Sequence, residues 1–146
     1  MQEKNKNAME HKKIGFTCGA FDLLHCGHVV MFREAKENCD HLVVGLQTDP
    51  SKDREEKNKP IQSLFERHMQ LSAIKYIDEI IPYDSELSLL DLLQTFPIDI
   101  RFVGEEYKSK SFTGRGLHEI YYTSRKHSFS TTQLRFRVNE RKRTES

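Results

Sequence analysis

The sequence has no excess of charge of either sign and no long apolar run. Lysine and arginine together number 23, and aspartate and glutamate 22, which gives a formal net charge of +1. This balance gives no reason to expect a nucleic-acid partner. No apolar run has transmembrane length, and the N-terminus lacks the apolar core of a signal peptide, so we expect a cytoplasmic protein with no membrane partner.

Cysteine is scarce and tryptophan is absent. The three cysteines, Cys18, Cys26 and Cys39, show no spacing typical of metal ligands. Their odd number fits a reducing compartment better than a disulfide framework. A chain of 146 residues predicts one domain, which we assign to residues 13–138, between a flexible tail at 1–12 and a C-terminal tail at 139–146.

The most informative stretch is Gly19–His28, a glycine turn that ends in two histidines three residues apart. It follows the apolar run Ile14–Cys18, which predicts a β-strand, and precedes Val29–Lys36, which has the spacing of an amphipathic helix. Helix N-termini attract anions through their unpaired N–H groups, and imidazoles at i and i+3 can donate to one phosphate. This pattern predicts a phosphate site. Zinc is the rival ligand, but no third His or Cys is spaced to complete a catalytic zinc site.

Predicted strands alternate with predicted helices along the rest of the chain. We predict strands near 13–18, 40–47, 79–82, 98–104 and 119–122, and helices near 28–37, 63–77, 88–96 and 130–137. This alternation predicts an α/β fold with a doubly wound, five-stranded parallel sheet. Ligands of such sheets bind beyond the carboxyl ends of the strands, so segments 19–28, 48–59, 104–107 and 124–132 should share one site.

Several polar residues in these segments have both a structural and a functional interpretation. Asp22 is either a turn residue or a group that orients His25. Lys57 and Lys59 belong to a charged loop, and most lysines in such loops are only solvated. Their functional interpretation is that they bind a triphosphate, because a triphosphate needs mobile cations. Arg67 is either a solvated helix residue or a phosphate ligand. Arg125–Thr132 ends in three consecutive hydroxyl residues, more than a single N-cap needs, and predicts a second anion site.

The motifs resemble those of the cytidylyltransferase-like nucleotidyltransferases. Gly19–His28 is similar to the family motif G-x-F-D-x-x-H-x-G-H, and Arg125–Thr132 is similar to R-T-x-G-I-S-T-T. Phe65–Arg67 and Tyr76–Pro82 resemble the family stretches E-x-R and Y-V-D-E-V-I-P. The likeness extends from about Ile14 to Val138 in consistent order and is greatest to the glycerol-3-phosphate cytidylyltransferases. It implies a Rossmann-like nucleotidyltransferase fold.

The resemblance implies transfer of a nucleoside monophosphate from a triphosphate to a phosphate monoester, with release of pyrophosphate. The catalytic residues it implies are His25, His28, Lys57, Lys59 and Arg125. The nucleotide-binding residues it implies are Gly19, Ala20, Phe21, Asp22, His25, Gly27, His28, Gly104, Arg125, Ser128, Phe129, Ser130, Thr131 and Thr132. The acceptor-binding residues it implies are Lys57, Arg67 and Lys75. It further implies Mg²⁺ bound with the triphosphate, no metal ligand from the protein, and a homodimer.

The sequence departs from the family pattern at several positions. Ala20 replaces a threonine, and Ser128 and Phe129 replace glycine and isoleucine of the second motif. The glycerol-phosphate enzymes have a tryptophan and a lysine after the V-I-P stretch, whereas Tyr83–Leu93 contains neither lysine nor arginine. An expected acceptor cation is therefore missing. Gly104–Tyr107 is intermediate between the G-D-D-W of those enzymes and the G-G-D-Y of the sugar-phosphate adenylyltransferases.

These observations predict an enzyme that transfers CMP from CTP to a small phosphorylated acceptor, with glycerol 3-phosphate as the first choice and CDP-glycerol as its product. One alternative is an adenylyltransferase that uses ATP and acts on a sugar phosphate or FMN. The alternative from another class is a non-catalytic nucleotide-binding module, which Ala20 and the altered second motif favour.

Overall fold

The computed structural model describes residues 11–52, 59–127 and 129–145, and in them five strands form one sheet. The strands are β1 (Ile14–Gly19), β2 (His41–Gln47), β3 (Glu79–Tyr83), β4 (Ile100–Gly104) and β5 (Glu119–Thr123). Their order is β3-β2-β1-β4-β5, and every neighbouring pair is parallel. The predicted doubly wound five-stranded parallel sheet is confirmed.

Four α-helices accompany the sheet in the described residues. They are α1 (Cys26–Glu37), α2 (Leu64–Ser72), α3 (Glu86–Thr95) and α4 (Thr131–Glu145). Short 3₁₀ turns at Pro50–Lys52 and Glu105–Tyr107 follow β2 and β4. Because each of these turns begins within three residues of the end of a strand, both lie at the carboxyl edge of the sheet.

The two faces of the sheet carry separate apolar cores. Leu42 and Val44 of β2 pack with Phe32 of α1 and Leu71 of α2, whereas Val43 packs with Leu89 of α3 on the other face. Side chains alternate between faces along a strand, so a strand covered on both faces must be apolar at consecutive positions. This requirement explains the unbroken apolar run in β2.

The order of the strands creates a crevice between β1 and β4. β1 pairs with β2 on one side and with β4 on the other, and the chain winds outward from this point in both directions. Doubly wound sheets bind ligands in the crevice at such a switch point, beyond the carboxyl ends of the strands. Gly19 and Gly104, which end β1 and β4, mark that location.

Two predicted helix ends are wrong. The second helix was expected to reach Ile77 but ends at Ser72, with Ala73 as its C-cap. Ile74 and Ile77 still pack against the core, from turn backbone. The last helix was expected to end near Arg137 but continues to Glu145. Its end carries ion pairs with helical spacing, Arg141–Glu145 and Arg143–Glu140, which stabilise helical backbone.

The helix starts agree better with prediction. Ser63 caps α2, and its hydroxyl and the Glu66 carboxylate form the expected reciprocal capping box. α3 begins at Glu86 behind an unpredicted cap, Ser85. α1 begins at Cys26, before the predicted start at His28, because His25 itself is the N-cap. Residues 1–10 of the predicted N-terminal tail lie outside the described residues.

Candidate functional site

A cavity of about 620 Å³ opens at the carboxyl edge of the sheet. It is lined by the ends of β1 and β4, the start of α1 and the segment before α4. Pro50, in the loop after β2, also lines it. The predicted convergence therefore occurs for segments 19–28, 104–107 and 124–132, whereas Pro50 is the only described residue of 48–59 at the cavity wall. The predicted site residues at its wall are Gly19, Ala20, His25, Gly27, His28, Gly104, Arg125, Phe129, Ser130 and Thr131.

The two histidines cap α1 with their own side chains. His25 Nδ1 accepts a hydrogen bond from the Gly27 backbone N–H at 3.0 Å, and His28 Nδ1 accepts one from the His25 backbone N–H at 3.2 Å. The two rings lie against each other, with centroids 3.9 Å apart. This arrangement is a capping box built from imidazoles rather than from a hydroxyl and a carboxylate.

The capping bonds determine which ring nitrogens carry protons. Since both Nδ1 atoms accept from the backbone, each neutral imidazole carries its proton on Nε2. Burial, with smaller contributions from the His25 and Arg125 charges, lowers the pKa of His28 to about 4. Burial, followed by the charges of His127 and Arg125, also lowers the pKa of His25. Near pH 7 both rings are therefore neutral, and both Nε2–H groups are hydrogen-bond donors.

A tight turn between β1 and α1 sets the position of the histidines. Phe21 and Leu23 have positive φ angles of 49° and 51°, a strained conformation for residues other than glycine. The Phe21 ring lies below the site, edge-on to His28 and tilted against Phe32. Phe21 thus supports His28 from the core and does not line the cavity, contrary to its predicted contact with the nucleotide.

Asp22 also has a structural contact rather than the predicted nucleotide contact. Its carboxylate accepts hydrogen bonds from the backbone N–H groups of Ile61 and Gln62, at 2.8 and 2.9 Å. The Gln62 side chain in turn accepts from the Leu23 N–H at 2.8 Å. These bonds fasten the end of the loop after β2 to the turn that carries His25.

The segment before α4 approaches the start of α1 closely. A Cβ atom on Gly27 would lie 2.8 Å from the Phe129 carbonyl oxygen and 2.8 Å from the His25 ring, so only glycine fits there. Ser130 Oγ accepts from the Gln133 N–H at 3.1 Å and caps α4. Thr132 is exposed and does not line the cavity. Ser128 lies outside the described residues.

Arg125 lines the cavity with an acidic partner. Its Nη1 donates to Glu106 Oε1 at 2.8 Å, and its backbone N–H donates to Glu105 Oε1 at 3.0 Å. Both side chains of the Arg125–Glu106 pair are well exposed, 49% and 36%, so solvent screens their attraction. An anion in the cavity can therefore compete with Glu106 for this guanidinium at small cost.

The geometry argues against the acceptor contacts predicted for Arg67 and Lys75. Arg67 is 2% exposed, and its guanidinium donates to the backbone carbonyls of Ala20, Gln47, Thr48 and Gln62. It therefore ties the ends of β1 and β2 together. Lys75 lies between α2 and β3, hence at the amino edge of the sheet, opposite the cavity. Lys59 lines a separate, smaller hollow with Arg67, and Lys57 lies outside the described residues.

Sequence reasoning did not single out Arg101, which lines the cavity, and it named His127 only as part of the predicted second anion site. The His127 ring stacks on Phe129, and its buried Nδ1 has no hydrogen-bond partner in the described residues. Arg101 lies in β4 and is 4% exposed. A signal for Arg101 was present, since an arginine interrupts the otherwise apolar stretch Ile100–Val103. A charged residue in a strand covered on both faces is rare and marks either an ion pair or a site.

The described residues form no metal cage. Among 11–52, 59–127 and 129–145, no group of three or more His, Cys, Asp or Glu side chains could hold a metal ion. The described helices also include none with the length and hydrophobicity of a membrane span.

A profile of the cytidylyltransferase-like family matches residues 16–141 of the chain. The chain belongs to the cytidylyltransferase-like family. Both motifs that carry the resemblance, Gly19–His28 and Arg125–Thr132, fall inside the matched range. The resemblance drawn from the sequence is confirmed at the level of the family.

Two curated relatives of the chain are longer proteins named as bifunctional. The chain is 35% identical over 133 residues to the bifunctional protein HldE of Caulobacter sp. K31 and 32% identical over 133 residues to HldE of Campylobacter jejuni RM1221. The matches cover 87% and 90% of this chain but only 27% and 29% of those relatives. The chain thus spans less than a third of their length.

Solved structures share the fold. One neighbour is the lipopolysaccharide core biosynthesis protein of Thermoplasma volcanium, with a TM-score of 0.58 and 23% identity over 89% of this chain and 88% of that one. Another is NadR in complex with NAD and AMP-PNP, with a TM-score of 0.55 and 19% identity over 90% of this chain and 43% of that one. At these identities the likeness supports the Rossmann-like fold.

Proposed function

We propose that this chain is an enzyme that transfers AMP from ATP to the phosphate group of a sugar phosphate, with release of pyrophosphate. The observation that carries the proposal is the pair of neutral imidazoles at the wall of the cavity. The Nδ1 atoms of His25 and His28 accept the hydrogen bonds of the helix cap, so their Nε2–H groups can donate to a ligand. Paired neutral donors at a helix N-terminus suit a phosphate chain.

The proposed reaction is a single in-line displacement at the α-phosphorus. An oxygen of the acceptor phosphate supplies the electron pair for the new P–O bond. The bond from the α-phosphorus to the oxygen that bridges the β-phosphorus breaks, and its electron pair leaves with pyrophosphate. A phosphate monoester loses its second proton near pH 6, so no general base is needed at neutral pH. Donors that stabilise developing charge are sufficient, which is the role we propose for His25 and His28.

The cations of the site have complementary proposed roles. Arg125 is proposed to leave Glu106 and bind the β- and γ-phosphates, together with the hydroxyl groups of Ser130 and Thr131 at the start of α4. Lys57 or Lys59 is proposed to bridge the α-phosphate and the acceptor, as the family resemblance implies. Both lysines belong to the loop that Asp22 fastens at its end through Ile61 and Gln62.

Magnesium is proposed to enter with the nucleotide. The described residues do not fit a protein-held metal, because they offer no cluster of carboxylate or imidazole ligands. The ion would be bound by triphosphate oxygens and water, which is common for Mg²⁺. We assign no step to it. The homodimer and the cytoplasmic location stay predictions.

Two observations favour ATP over CTP, the nucleotide we expected first. Gly104–Tyr107 ends in a tyrosine, as does the corresponding stretch of the sugar-phosphate adenylyltransferases, whereas the glycerol-phosphate enzymes have a tryptophan there. The fold neighbour NadR was solved with an adenine nucleotide, AMP-PNP. CMP transfer to a polyol phosphate is the second candidate, because the pattern from Gly19 to Pro82 is similar to that of the glycerol-phosphate enzymes.

The test is pyrophosphate release from ATP, CTP, GTP and UTP, each with hexose 1-phosphates, heptose 1-phosphate, glycerol 3-phosphate and FMN. The proposal expects turnover with ATP and a sugar phosphate and at most weak turnover with CTP. Turnover only with CTP would replace it with the second candidate. Nucleotide binding without pyrophosphate release from any pair would support a non-catalytic binding module instead.

A further inference from the structure

The cavity extends from the histidine pair to the opposite face of the sheet. α1, which carries His25 and His28, packs on one face together with Phe102. Tyr83 and Leu89 belong to the core beneath α3 on the other face, yet they line the same cavity. We call this second part, lined by Cys18, Tyr83, Glu86, Leu89, Arg101 and Thr113, the α3-side region.

Arg101 is the buried cation of the α3-side region. Its Nη1 donates to the Thr113 carbonyl oxygen, and its Nη2 makes a weak contact of 3.8 Å with Cys18 Sγ. The guanidinium lies over the Phe112 ring, 5.1 Å from the centroid. No ion pair joins Arg101 to a carboxylate in the described part of the chain, and its buried Nε has no hydrogen-bond partner there.

A guanidinium that is buried without a paired carboxylate lowers the stability of the folded protein. Removing its charge from water without a paired carboxylate destabilises the folded state, and buried donors without partners add to this cost. Holding the loop through the Thr113 carbonyl needs one of its five N–H groups. The unused hydrogen-bonding capacity beside a cavity therefore indicates a ligand.

The surroundings of Arg101 indicate which part of a ligand it meets. Thr113 Oγ1 donates to Glu86 Oε2 at 2.6 Å, so a carboxylate also lines this region. A phosphate or carboxylate group of the ligand placed beside Arg101 would be repelled by Glu86. A hydroxyl group suits both Arg101 and Glu86, because it accepts a hydrogen bond from a guanidinium and donates one to a carboxylate or a hydroxyl oxygen.

The position of Arg101 also agrees with a gap in the sequence pattern. The family resemblance led us to expect an acceptor cation in Tyr83–Leu93, and that stretch contains none. Tyr83, Glu86 and Leu89 from this stretch nevertheless line the α3-side region. Arg101 brings a cation to the same region from β4.

We propose that Arg101 is a specificity-determining residue that binds a hydroxyl group of the acceptor's carbon chain in the α3-side region. The inference rests on the proposed function, since it needs an acceptor whose phosphate lies near His25 and His28. The acceptor would then cross the carboxyl edge of the sheet, with its phosphate at the α1 side and its hydroxylated chain at the α3 side. Arg101 distinguishes a hydroxylated chain from an alkyl chain of the same length.

The test compares acceptors that share a phosphate but differ in hydroxyl groups. Glycerol 3-phosphate is paired with n-propyl phosphate, and each active hexose 1-phosphate with its monodeoxy analogues, at saturating nucleotide. We expect Arg101→Gln to lower kcat/KM for the hydroxylated acceptor by about 10²-fold. A site that recognises a hydroxyl group through the Arg101 guanidinium loses most of its preference for hydroxylated over alkyl acceptors when that guanidinium is removed. The same variant should change kcat/KM for the matched alkyl or deoxy acceptor by less than about 3-fold.

Arg115 provides a matched control for the structural role of Arg101. Arg115 also donates to carbonyls of this loop, those of Lys108 and Lys110, and also lies over the Phe112 ring, but it is exposed and does not line the cavity. Arg115→Gln should leave the preference for hydroxylated acceptors unchanged. Arg101→Lys keeps a buried cation, provides a second variant if the glutamine variant unfolds, and should retain part of the preference.

The outcomes separate this inference from the proposed function. Equal losses on hydroxylated and alkyl acceptors, or the same loss of preference in Arg115→Gln, would overturn the role of Arg101 and leave the proposed reaction intact. If the wild-type enzyme releases pyrophosphate with none of the acceptors, the proposed function itself fails, and the inference fails with it. An unchanged KM for the nucleotide in Arg101→Gln would confirm that the effect is confined to the acceptor.

Discussion

His25 and His28 cap the same helix through their Nδ1 atoms, and their ring centroids lie 3.9 Å apart. Each ring therefore does two things at once. It satisfies a backbone N–H at the start of α1, and it carries a second N–H, on Nε2, that has no hydrogen-bond partner in the described part of the chain and can bind a ligand at the cavity wall. The first task holds the tautomer and orientation that the second one needs.

Replacing His28 should separate nucleotide binding from turnover. In His28→Ala the site loses one donor to the phosphates, and the His25 backbone N–H loses its acceptor. We expect kcat to fall by about 10²-fold or more, while the nucleotide still binds. Steady-state pyrophosphate release and equilibrium nucleotide binding measure the two effects. His41→Gln, at the amino edge of the sheet, is the control and should retain full activity.

The unliganded protein should lose stability in acid partly through His28. The pKa of His28 is about 4 in the folded chain, against an ordinary value of 6.5. Between these values the unfolded chain binds more protons, so the free energy of unfolding falls as the pH drops from 6.5 towards 4. Thermal unfolding midpoints across this range should fall more steeply for the wild type than for His28→Asn. Parallel profiles would show that His28 titrates normally.

Arg125 and its partner Glu106 should respond in opposite directions. Arg125→Gln removes a cation proposed to bind the β- and γ-phosphates, and we expect KM for the nucleotide to rise about 10- to 100-fold. Glu106→Gln releases Arg125 from its partner and should leave this KM unchanged or lower it. Because the ion pair is exposed, neither substitution should change the unfolding midpoint appreciably. A raised KM in both variants would mean that Glu106 positions Arg125 for binding.

Gly27 should not tolerate a side chain. An alanine Cβ would lie 2.8 Å from both the His25 ring and the Phe129 carbonyl oxygen, so the two helix starts would have to separate. We expect Gly27→Ala to lower kcat/KM about 10²-fold. Cys26→Ala, at the adjacent exposed position, is the control. Normal activity in Gly27→Ala would show that the contact between these segments is unnecessary for catalysis.

The sequence predicted what depends on local patterning. The alternation of strands and helices predicted the parallel sheet and the location of the site at its carboxyl edge. The Gly19–His28 motif predicted a ligand site at the start of α1. The capping role of His25 was missed because imidazoles are uncommon N-caps, so the helix was expected to begin at His28. The spacing of Ile74 and Ile77 matched a helix, yet these residues reach the same core from turn backbone.

Roles that depend on tertiary contacts were not predictable. Nothing near Arg67 in the sequence shows that the carbonyls of Ala20, Gln47 and Thr48 meet at its side chain. Asp22 likewise finds its partners, Ile61 and Gln62, far along the chain. Charged side chains at such positions can bind the protein's own backbone as readily as a phosphate, and only their neighbours in space distinguish the two.

Oxygen labelling tests the central claim, nucleotidyl transfer to an acceptor phosphate, most directly. The wild-type enzyme is incubated with unlabelled ATP and an active sugar phosphate whose phosphate oxygens are all ¹⁸O, and the products are weighed by mass spectrometry. The account predicts that every labelled oxygen stays in the nucleotide–sugar product and that pyrophosphate carries none. Labelled pyrophosphate, or AMP without a sugar attached as the only nucleotide product, would contradict it.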